Sequence, residues 1–255
     1  MKKYFLIILM IPFLWSCSLA KEDSSQNEDI KKEENIKKKE EEVLTEKEKL
    51  VNELPSSAEQ DAWNLVLVNP DQALAEDFEP SLKEVDNEQR IDKRVVEAWK
   101  NWKEAAAEAG HQLFLASAYR DVKRQENNFN RKVTNYMNEG MTKEESTVKA
   151  KEYLTEPGHS EHHTGLALDI VDDEWIVAGH GLETAYGKEA SQKWLVETMS
   201  DYGFILRYPE GKEDLTKIQY EPWHFRYVGP EHAHFMLEND LVLEEYIDLI
   251  KEKKD

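Results

Sequence analysis

The stretch Ser160-Glu161-His162-His163-Thr164-Gly165-Leu166-Ala167-Leu168-Asp169 decides how this sequence is interpreted. Its second half begins an alternating apolar pattern that predicts a β-strand over residues 166–171. Gly165 marks a turn into that strand. His162 and Asp169 therefore lie on either side of the turn, and Asp169 can point into a site from one face of the strand.

A second segment, Glu221-Pro222-Trp223-His224, supplies another histidine and another acid on a different predicted strand. Zinc in catalytic sites takes three protein ligands and keeps a fourth position open for water. His162, Asp169 and His224 can provide these ligands if a sheet brings the strands together. Glu221, three residues before the last ligand, can then act as a base, an inventory that suits metal-assisted hydrolysis.

The remaining histidines are interpreted as structural or surface residues, because an isolated histidine usually has such a role. They are His111, His159, His163, His180, His232 and His234, of which His163 is the rival ligand beside His162. Asp169 alone could cap a turn, and Glu221 could be a surface charge. An acid on a buried strand is unusual without a partner, so the cluster favours the metal-site interpretation.

Composition argues against one class of partner. Lys and Arg number 33 against 53 Asp and Glu, which gives the 255-residue chain a formal net charge of -20. This negative charge repels a polyanion. We therefore expect no nucleic-acid partner.

The N-terminus predicts export. Met1-Lys2-Lys3 precedes an apolar run from Tyr4 to Trp15, too short to cross a bilayer but typical of a signal peptide, which we assign to residues 1–20. Leu14-Trp15-Ser16-Cys17 resembles the bacterial lipobox, although Trp15 replaces its usual small residue. We expect a lipid anchor at Cys17 on the outer face of the cytoplasmic membrane; alternatively, Cys17 is removed with the signal peptide. As the only cysteine it cannot form a disulfide within the chain.

Residues 21–60 are nearly all Lys, Glu, Asp, Ser and Asn, which predicts a disordered, charged linker because this composition cannot bury a core. Residues 61–255 are predicted to form the globular domain. Strands are predicted over residues 64–69, 112–119, 166–171, 204–208 and 223–228. Helices are predicted over residues 87–110, 191–202 and 231–248, together with a helical region over 123–152 interrupted at Gly140.

Four motifs in order resemble the VanY-type D-alanyl-D-alanine carboxypeptidases, LdcB/DacB-like zinc peptidases that trim bacterial cell-wall peptides. The S-x-Y-R motif stands as Ser117-Ala118-Tyr119-Arg120, followed by Gln125. The S-x-H-x-x-G-x-A-x-D motif comprises Ser160, His162, Gly165, Ala167 and Asp169. Residues 203–209 resemble the family's next segment, and E-x-W-H stands as Glu221, Trp223 and His224. The resemblance covers the chain from about Trp63 onward.

The resemblance implies an α+β fold in which helices pack on a small antiparallel sheet, the hedgehog/D-Ala-D-Ala peptidase fold, with the site in a cleft over the sheet. It implies Zn2+ held by His162, Asp169 and His224, with Glu221 as the catalytic base. Arg120 would be a further catalytic residue, which holds the scissile carbonyl or the end of the substrate. The implied substrate-binding residues are Ser117, Tyr119, Gln125 and Ser160.

On this resemblance, residues 61–255 are a zinc carboxypeptidase domain that removes the C-terminal D-alanine from peptidoglycan stem peptides. Asp121 and His163 replace the family's usual Ser and Gln, which leaves fine substrate preference open.

Three alternatives remain at this point. The same motifs serve L,D-carboxypeptidases, which trim the tetrapeptide stem. Two histidines and a carboxylate also form the facial triad of non-haem Fe(II) oxygenases, but the usual His-x-Asp spacing of that triad is absent. A tethered lipoprotein could also bind wall peptides without cleaving them, although Glu221 beside a full ligand set argues against this.

Overall fold

The computed structural model describes residues 45–253 of the chain. The predicted signal peptide, Cys17 and residues 21–44 of the predicted linker lie outside this range. Residues 45–53 are helical (α1), and Leu54 and Ala58 after this helix are buried. Both buried residues lie within the segment 21–60 that the sequence predicts to be a linker. The remainder of the fold concerns residues 51–253, which belong to a single compact unit.

The described residues form six strands: β1 (Leu82–Glu84), β2 (Arg90–Asp92), β3 (Leu113–Ser117), β4 (Ala167–Asp172), β5 (Phe204–Leu206) and β6 (His224–Tyr227). The main sheet has the order β3-β4-β6-β5, and each neighbouring pair is antiparallel. β1 and β2 form a separate antiparallel pair. The predicted α+β class with a small antiparallel sheet is confirmed.

The helices that follow α1 are α2 (Val96–Glu108), α3 (Val122–Asn138), α4 (Lys143–Lys151), α5 (Asp173–Val177), α6 (Ala190–Thr198), α7 (Glu213–Thr216), α8 (Pro230–Glu238) and α9 (Leu243–Glu252). The break predicted at Gly140 is confirmed: Gly140 has φ 103°, and α4 begins after it with a capping box between Thr142 and Glu145.

The main core lies on the face of the sheet where α2 and α6 pack. The fully buried Trp102 of α2 stacks on Phe204 with 4.8 Å between ring centroids and meets the edge of Phe225 at 5.2 Å. Leu168 and Ile170 of β4 belong to the same cluster. Because successive strand residues point to opposite faces, Asp169 between them lies on the face opposite the core.

Two predicted helices have different bounds in the structure. The helix predicted from Asn87 begins at Val96, because Asn87 and Glu88 have positive φ in a turn and Ile91 pairs with Lys83 in the β1–β2 ladder. The closing helix predicted over residues 231–248 is two helices, α8 and α9. A turn with Asp240 at φ 51° separates them.

The strand predicted over residues 64–69 is wrong, apart from a single bridge between Asn69 and Gln72. The segment is mostly buried, but its carbonyl groups accept hydrogen bonds from side chains. Arg226 Nη2 donates to the carbonyls of Asn64 and Val66 at 3.1 and 2.7 Å. The guanidinium of Arg226 therefore provides hydrogen bonds that a neighbouring strand would otherwise donate to these carbonyls. Within residues 45–253, no helix is both long and apolar enough to cross a bilayer.

Candidate metal centre

Three strands of the main sheet each present one polar residue at the same level. Ser117 of β3 pairs with Asp169 of β4, which pairs in turn with His224 of β6. Directly paired residues of neighbouring strands share a face and lie close together. The register shifts between Leu115 and Ser117, an irregularity of the kind that re-aims a strand end near a site. The sheet thus places an acid beside an imidazole on the face opposite the core.

His162 comes to this face from a 3₁₀ turn, Glu161–Thr164, in front of β4. Gly165 ends the turn at φ 73°, a left-handed conformation that favours glycine. A Cβ at Gly165 would also lie 2.9 Å from both Asp92 N and Leu82 Cδ2. The turn that presents His162 therefore requires glycine for its backbone angle and for space.

The ligand atoms of the three candidate residues converge. His162 Nε2 lies 3.3 Å from Asp169 Oδ2, and His224 Nδ1 lies 3.3 Å from Asp169 Oδ1. One ligand atom from each residue lies within 4.8 Å of the other two. In the described part of the chain, no other group of three or more His, Cys, Asp or Glu side chains meets this criterion.

The chemistry of this group fits a divalent cation. Asp169 Oδ1 is buried, and although His224 Nδ1 lies 3.3 Å away, no donor among residues 45–253 has the geometry of a hydrogen bond to it. A buried carboxylate oxygen normally has a well-placed donor or a cation beside it. His162 Nδ1 donates to the carbonyl of Ala118 at 2.7 Å, which leaves Nε2 for a metal. Two imidazole nitrogens and one carboxylate oxygen are the donor set of catalytic zinc.

Burial and the nearby charges set the protonation of the two imidazoles. Burial lowers the pKa of His162 to about 4, so its ring is neutral near pH 7 and can bind a metal. Burial alone would also lower the pKa of His224, but the carboxylates of Asp169, Glu161 and Glu221 raise it well above its ordinary value. The three carboxylates around His224 therefore favour a cation at this point.

Glu221 lies beside the candidate ligands. Its Oε2 is 3.4 Å from His224 Nδ1, and its side chain is buried. Burial raises the pKa of the Glu221 carboxyl above its ordinary value. A raised pKa suits a carboxylate that takes up a proton and later returns it.

Arg120 is held at the site by two other motif residues. Its Nη1 donates to Gln125 Oε1 at 2.7 Å and its Nη2 donates to Ser117 Oγ at 3.2 Å. Nη2 also lies 3.8 Å from Asp169 Oδ2. The guanidinium is therefore fixed next to the metal group by neighbours that are themselves buried.

A cavity of about 200 Å³ opens over these side chains, and its wall includes Arg120, Ser160, His162, Asp169, Tyr208, Glu221, Trp223 and His224. The predicted cleft over the sheet thus contains five predicted ligand or catalytic residues and Ser160. Ser117 and Gln125 contact Arg120 and do not line the cavity. Tyr119 also lies outside its wall, with the Arg90 guanidinium 5.0 Å from its ring centroid. Substrate contact by these three residues stays a prediction.

Sequence reasoning missed the support behind His224. The buried Glu161 Oε1 accepts hydrogen bonds from Arg207 Nε at 2.8 Å and Arg226 Nη1 at 2.7 Å, and its Oε2 lies 3.4 Å from His224 Nε2. Burial alone would raise the pKa of Glu161, but the two guanidinium groups hold it well below its ordinary value. The sequence did contain one signal: Arg207 and Arg226 lie inside apolar strand segments, and a buried arginine there needs an acidic partner such as Glu161.

His163, the rival ligand, does not join the metal group. Its Nδ1 donates to the Arg120 carbonyl at 2.6 Å, and its Nε2 accepts from Gly158 N at 3.1 Å. Both ring nitrogens are therefore taken by the backbone.

Comparisons with known proteins agree with this geometry. The family model of VanY, D-alanyl-D-alanine carboxypeptidase, matches residues 88–230, more than half of the chain. The D-alanyl-D-alanine carboxypeptidase of Enterococcus faecalis (strain ATCC 700802 / V583) is 34% identical over 203 residues, which are 78% of this chain and 72% of the relative.

Two solved structures are similar over most of the described fold. A variant of the vancomycin-resistance D,D-pentapeptidase VanY in complex with Zn(II) is 34% identical with a TM-score of 0.65, and the match covers 72% of this chain and 99% of that one. The LdcB LD-carboxypeptidase is 38% identical with a TM-score of 0.62, covering 74% and 87%. The chain belongs to the VanY family of D-alanyl-D-alanine carboxypeptidases.

Proposed function

We propose that this chain is a zinc-dependent carboxypeptidase that removes the C-terminal D-alanine from peptidoglycan stem peptides by D-Ala-D-Ala cleavage. The observation that carries the proposal is the convergence of His162, Asp169 and His224 within 4.8 Å, beside Glu221 in one cavity. The Zn(II) complex of the related VanY and the activity named for the Enterococcus faecalis relative support it.

His162 Nε2, His224 Nδ1 and a carboxylate oxygen of Asp169 would hold the zinc ion. When bound, zinc supplies Lewis acidity that polarises a carbonyl group and lowers the pKa of water. Glu221 takes the proton of the attacking water and then delivers it to the departing amine of D-alanine. The raised pKa of the buried Glu221 suits both transfers.

Arg120 offsets the negative charge that develops on the scissile carbonyl oxygen. A preorganised donor of this kind is worth about 3 kcal/mol in acyl-transfer sites. Gln125 and Ser117 provide the preorganisation, because their hydrogen bonds fix both terminal nitrogens of the guanidinium.

The experiment is an assay of purified protein on a pentapeptide stem, with mass detection of released alanine, with and without a metal chelator. The proposal expects D-alanine release that the chelator abolishes and that zinc restores, together with zinc in a metal analysis. Binding of the peptide without alanine release would instead support a non-catalytic wall-peptide-binding protein. Tightly bound iron would support the oxygenase alternative.

A second candidate is L,D-carboxypeptidase activity on the tetrapeptide stem. The 38% identity to the LdcB LD-carboxypeptidase favours it. The same assay on a tetrapeptide stem separates the two activities. Faster alanine release from the tetrapeptide than from the pentapeptide would replace the D,D assignment.

We further propose that the chain is exported and that Cys17 carries a lipid on the outer face of the cytoplasmic membrane. The support is the sequence pattern of residues 1–20 alone. In a bacterial host, Cys17→Ala should move the full-length protein from the membrane fraction to the soluble fraction. Equal membrane retention of the variant would contradict the anchor.

A further inference from the structure

Lys132 gives the candidate active-site cavity a second cation. It lies on α3, and it lines the same cavity as Arg120 and the metal group. Its ammonium lies 5.2 and 5.3 Å from the ring centroids of Tyr136 and Tyr153, and Tyr153 lines the cavity too. Aromatic faces at this distance attract a cation without neutralising its charge.

The charge of Lys132 has no acidic partner within residues 45–253, where no carboxylate lies within 4.0 Å of its ammonium. Lys149 forms the contrast: it lies 5.5 Å from the Tyr153 ring centroid but pairs with Glu152 at 2.7 Å, and it does not line this cavity. A cation without an acidic partner in the cavity wall attracts an anionic group that enters the cavity.

We propose that Lys132 binds a carboxylate of the substrate and thereby selects anionic peptides. The inference rests on the proposed carboxypeptidase function and adds a specificity-determining residue outside its motifs. The anion can be either the terminal carboxylate of the peptide or a side-chain carboxylate in its acyl part. Arg120 is held beside the metal group by Gln125 and Ser117, where it is assigned to the scissile carbonyl oxygen. Lys132 is the other lysine or arginine that lines the cavity.

The test uses two matched peptide pairs on the zinc-loaded protein. One pair ends in D-alanine or in D-alaninamide, and the other carries glutamate or glutamine in the acyl part. kcat and KM are measured for the wild type, Lys132→Met, Lys132→Arg and the control Lys149→Met. The wild type should prefer the acidic member of at least one pair by about tenfold in kcat/KM, as expected for a hydrogen bond to a charged group.

Lys132→Met should lose that preference mainly through KM, whereas Lys132→Arg should keep most of it and Lys149→Met should match the wild type. The pair that loses its preference identifies the carboxylate. An unchanged preference in Lys132→Met, or no preference in the wild type for either pair, overturns the inference.

A separate binding measurement distinguishes failure of this inference from failure of the proposed function. Calorimetry measures binding of the same two peptide pairs to Glu221→Gln protein, with and without Lys132→Met. Because Glu221→Gln should not turn the peptides over, the measurement reports recognition of the carboxylate alone. If the wild type releases no alanine, the proposed function fails. Loss of the binding preference on Lys132→Met would still support the carboxylate site, and an unchanged preference would still overturn it.

Discussion

Asp169 connects the other groups of the site. It lies 3.3 Å from each of the two imidazoles and 3.8 Å from Arg120, and it is almost fully buried. Burial alone would raise its pKa, but the two imidazoles lower it below its ordinary value. The carboxylate is therefore ionised at neutral pH, which is the form that binds a metal ion.

Glu221→Gln separates proton transfer from metal binding. The amide keeps the size of the side chain but cannot accept the proton of water, so kcat for D-alanine release should fall by about 10²–10⁴-fold. Zinc content by metal analysis should stay at the wild-type level, because Glu221 is not a ligand. Full turnover of a zinc-loaded Glu221→Gln variant would contradict the base assignment.

Glu161→Gln tests the support behind His224. The change breaks the buried ion pairs of Glu161 with Arg226 and Arg207, although Arg207 keeps its second partner Glu244. We therefore expect a loss of about 3 kcal/mol in the free energy of unfolding, the lower end of the range for such pairs. Zinc affinity should fall about 10–100-fold, because Glu161 orients the His224 ring.

Urea unfolding in the presence of chelator and a competition titration with a chromogenic chelator measure the two effects of Glu161→Gln. Glu156→Gln is the matched control, since its pair with Lys151 is about half exposed and surface pairs contribute about 0–1 kcal/mol. Equal unfolding free energies and zinc affinities for the two variants would show that Glu161 does not have this role.

At the level of elements, the turn before β4 depends on Gly165. Gly165→Ala should destabilise the protein more than Gly110→Ala: both glycines have positive φ, but a Cβ at Gly165 would lie 2.9 Å from its nearest atoms, whereas a Cβ at Gly110 would have none within 4 Å. The control should lose about 1 kcal/mol for its backbone angle, and Gly165→Ala about 1–3 kcal/mol more for the added crowding. Urea unfolding measures both. Equal losses would show that the contact with Asp92 and Leu82 relaxes freely.

Elements with a local signal were predictable from the sequence. Gly140 separates α3 from α4, and the alternating residues 166–171 correspond closely to β4. The segment 64–69 was not predictable, because its carbonyl partner Arg226 lies 160 or more residues away. The β1–β2 pair was missed because Ile91 also fits the helical spacing of α2, and only the turn at Asn87 excludes a helix there.

The residues of the candidate site also differ in whether a local sequence signal reveals them. His162, Asp169, Glu221 and His224 could be selected as candidates because their motifs are local, and the structure brings their side chains together. Glu161 could not be assigned, because its partners Arg207 and Arg226 lie 46 and 65 residues away. Its function depends on the register of β5 and β6 against the turn, which the sequence pattern does not reveal.

At the scale of the whole molecule, packing of the C-terminal helices makes stability depend on pH through His232. His232 is 3% exposed, and its ring pairs through Nδ1 with the Tyr246 hydroxyl of α9 at 2.7 Å. Burial lowers the pKa of His232 below its ordinary 6.5, and the nearby Glu231 only partly opposes this. Below pH 6.5 the unfolded chain therefore binds a proton that the folded chain does not, and folding becomes less favourable.

His232→Gln should remove this part of the acid sensitivity. The stability of the wild type minus that of the variant should be larger at about pH 7.5 than at about pH 5.5, in urea unfolding with chelator present. The same difference at both pH values would show that His232 does not titrate on unfolding.

The central claim is that one zinc ion is held by His162, Asp169 and His224 with Glu221 beside it. Anomalous diffraction at the zinc absorption edge, from crystals of the protein grown with zinc, tests it most directly. The account predicts one strong peak about 2.0–2.2 Å from His162 Nε2, His224 Nδ1 and an Asp169 carboxylate oxygen, with Glu221 outside bonding distance. A peak bound by other residues, or no peak in this cavity, would contradict it.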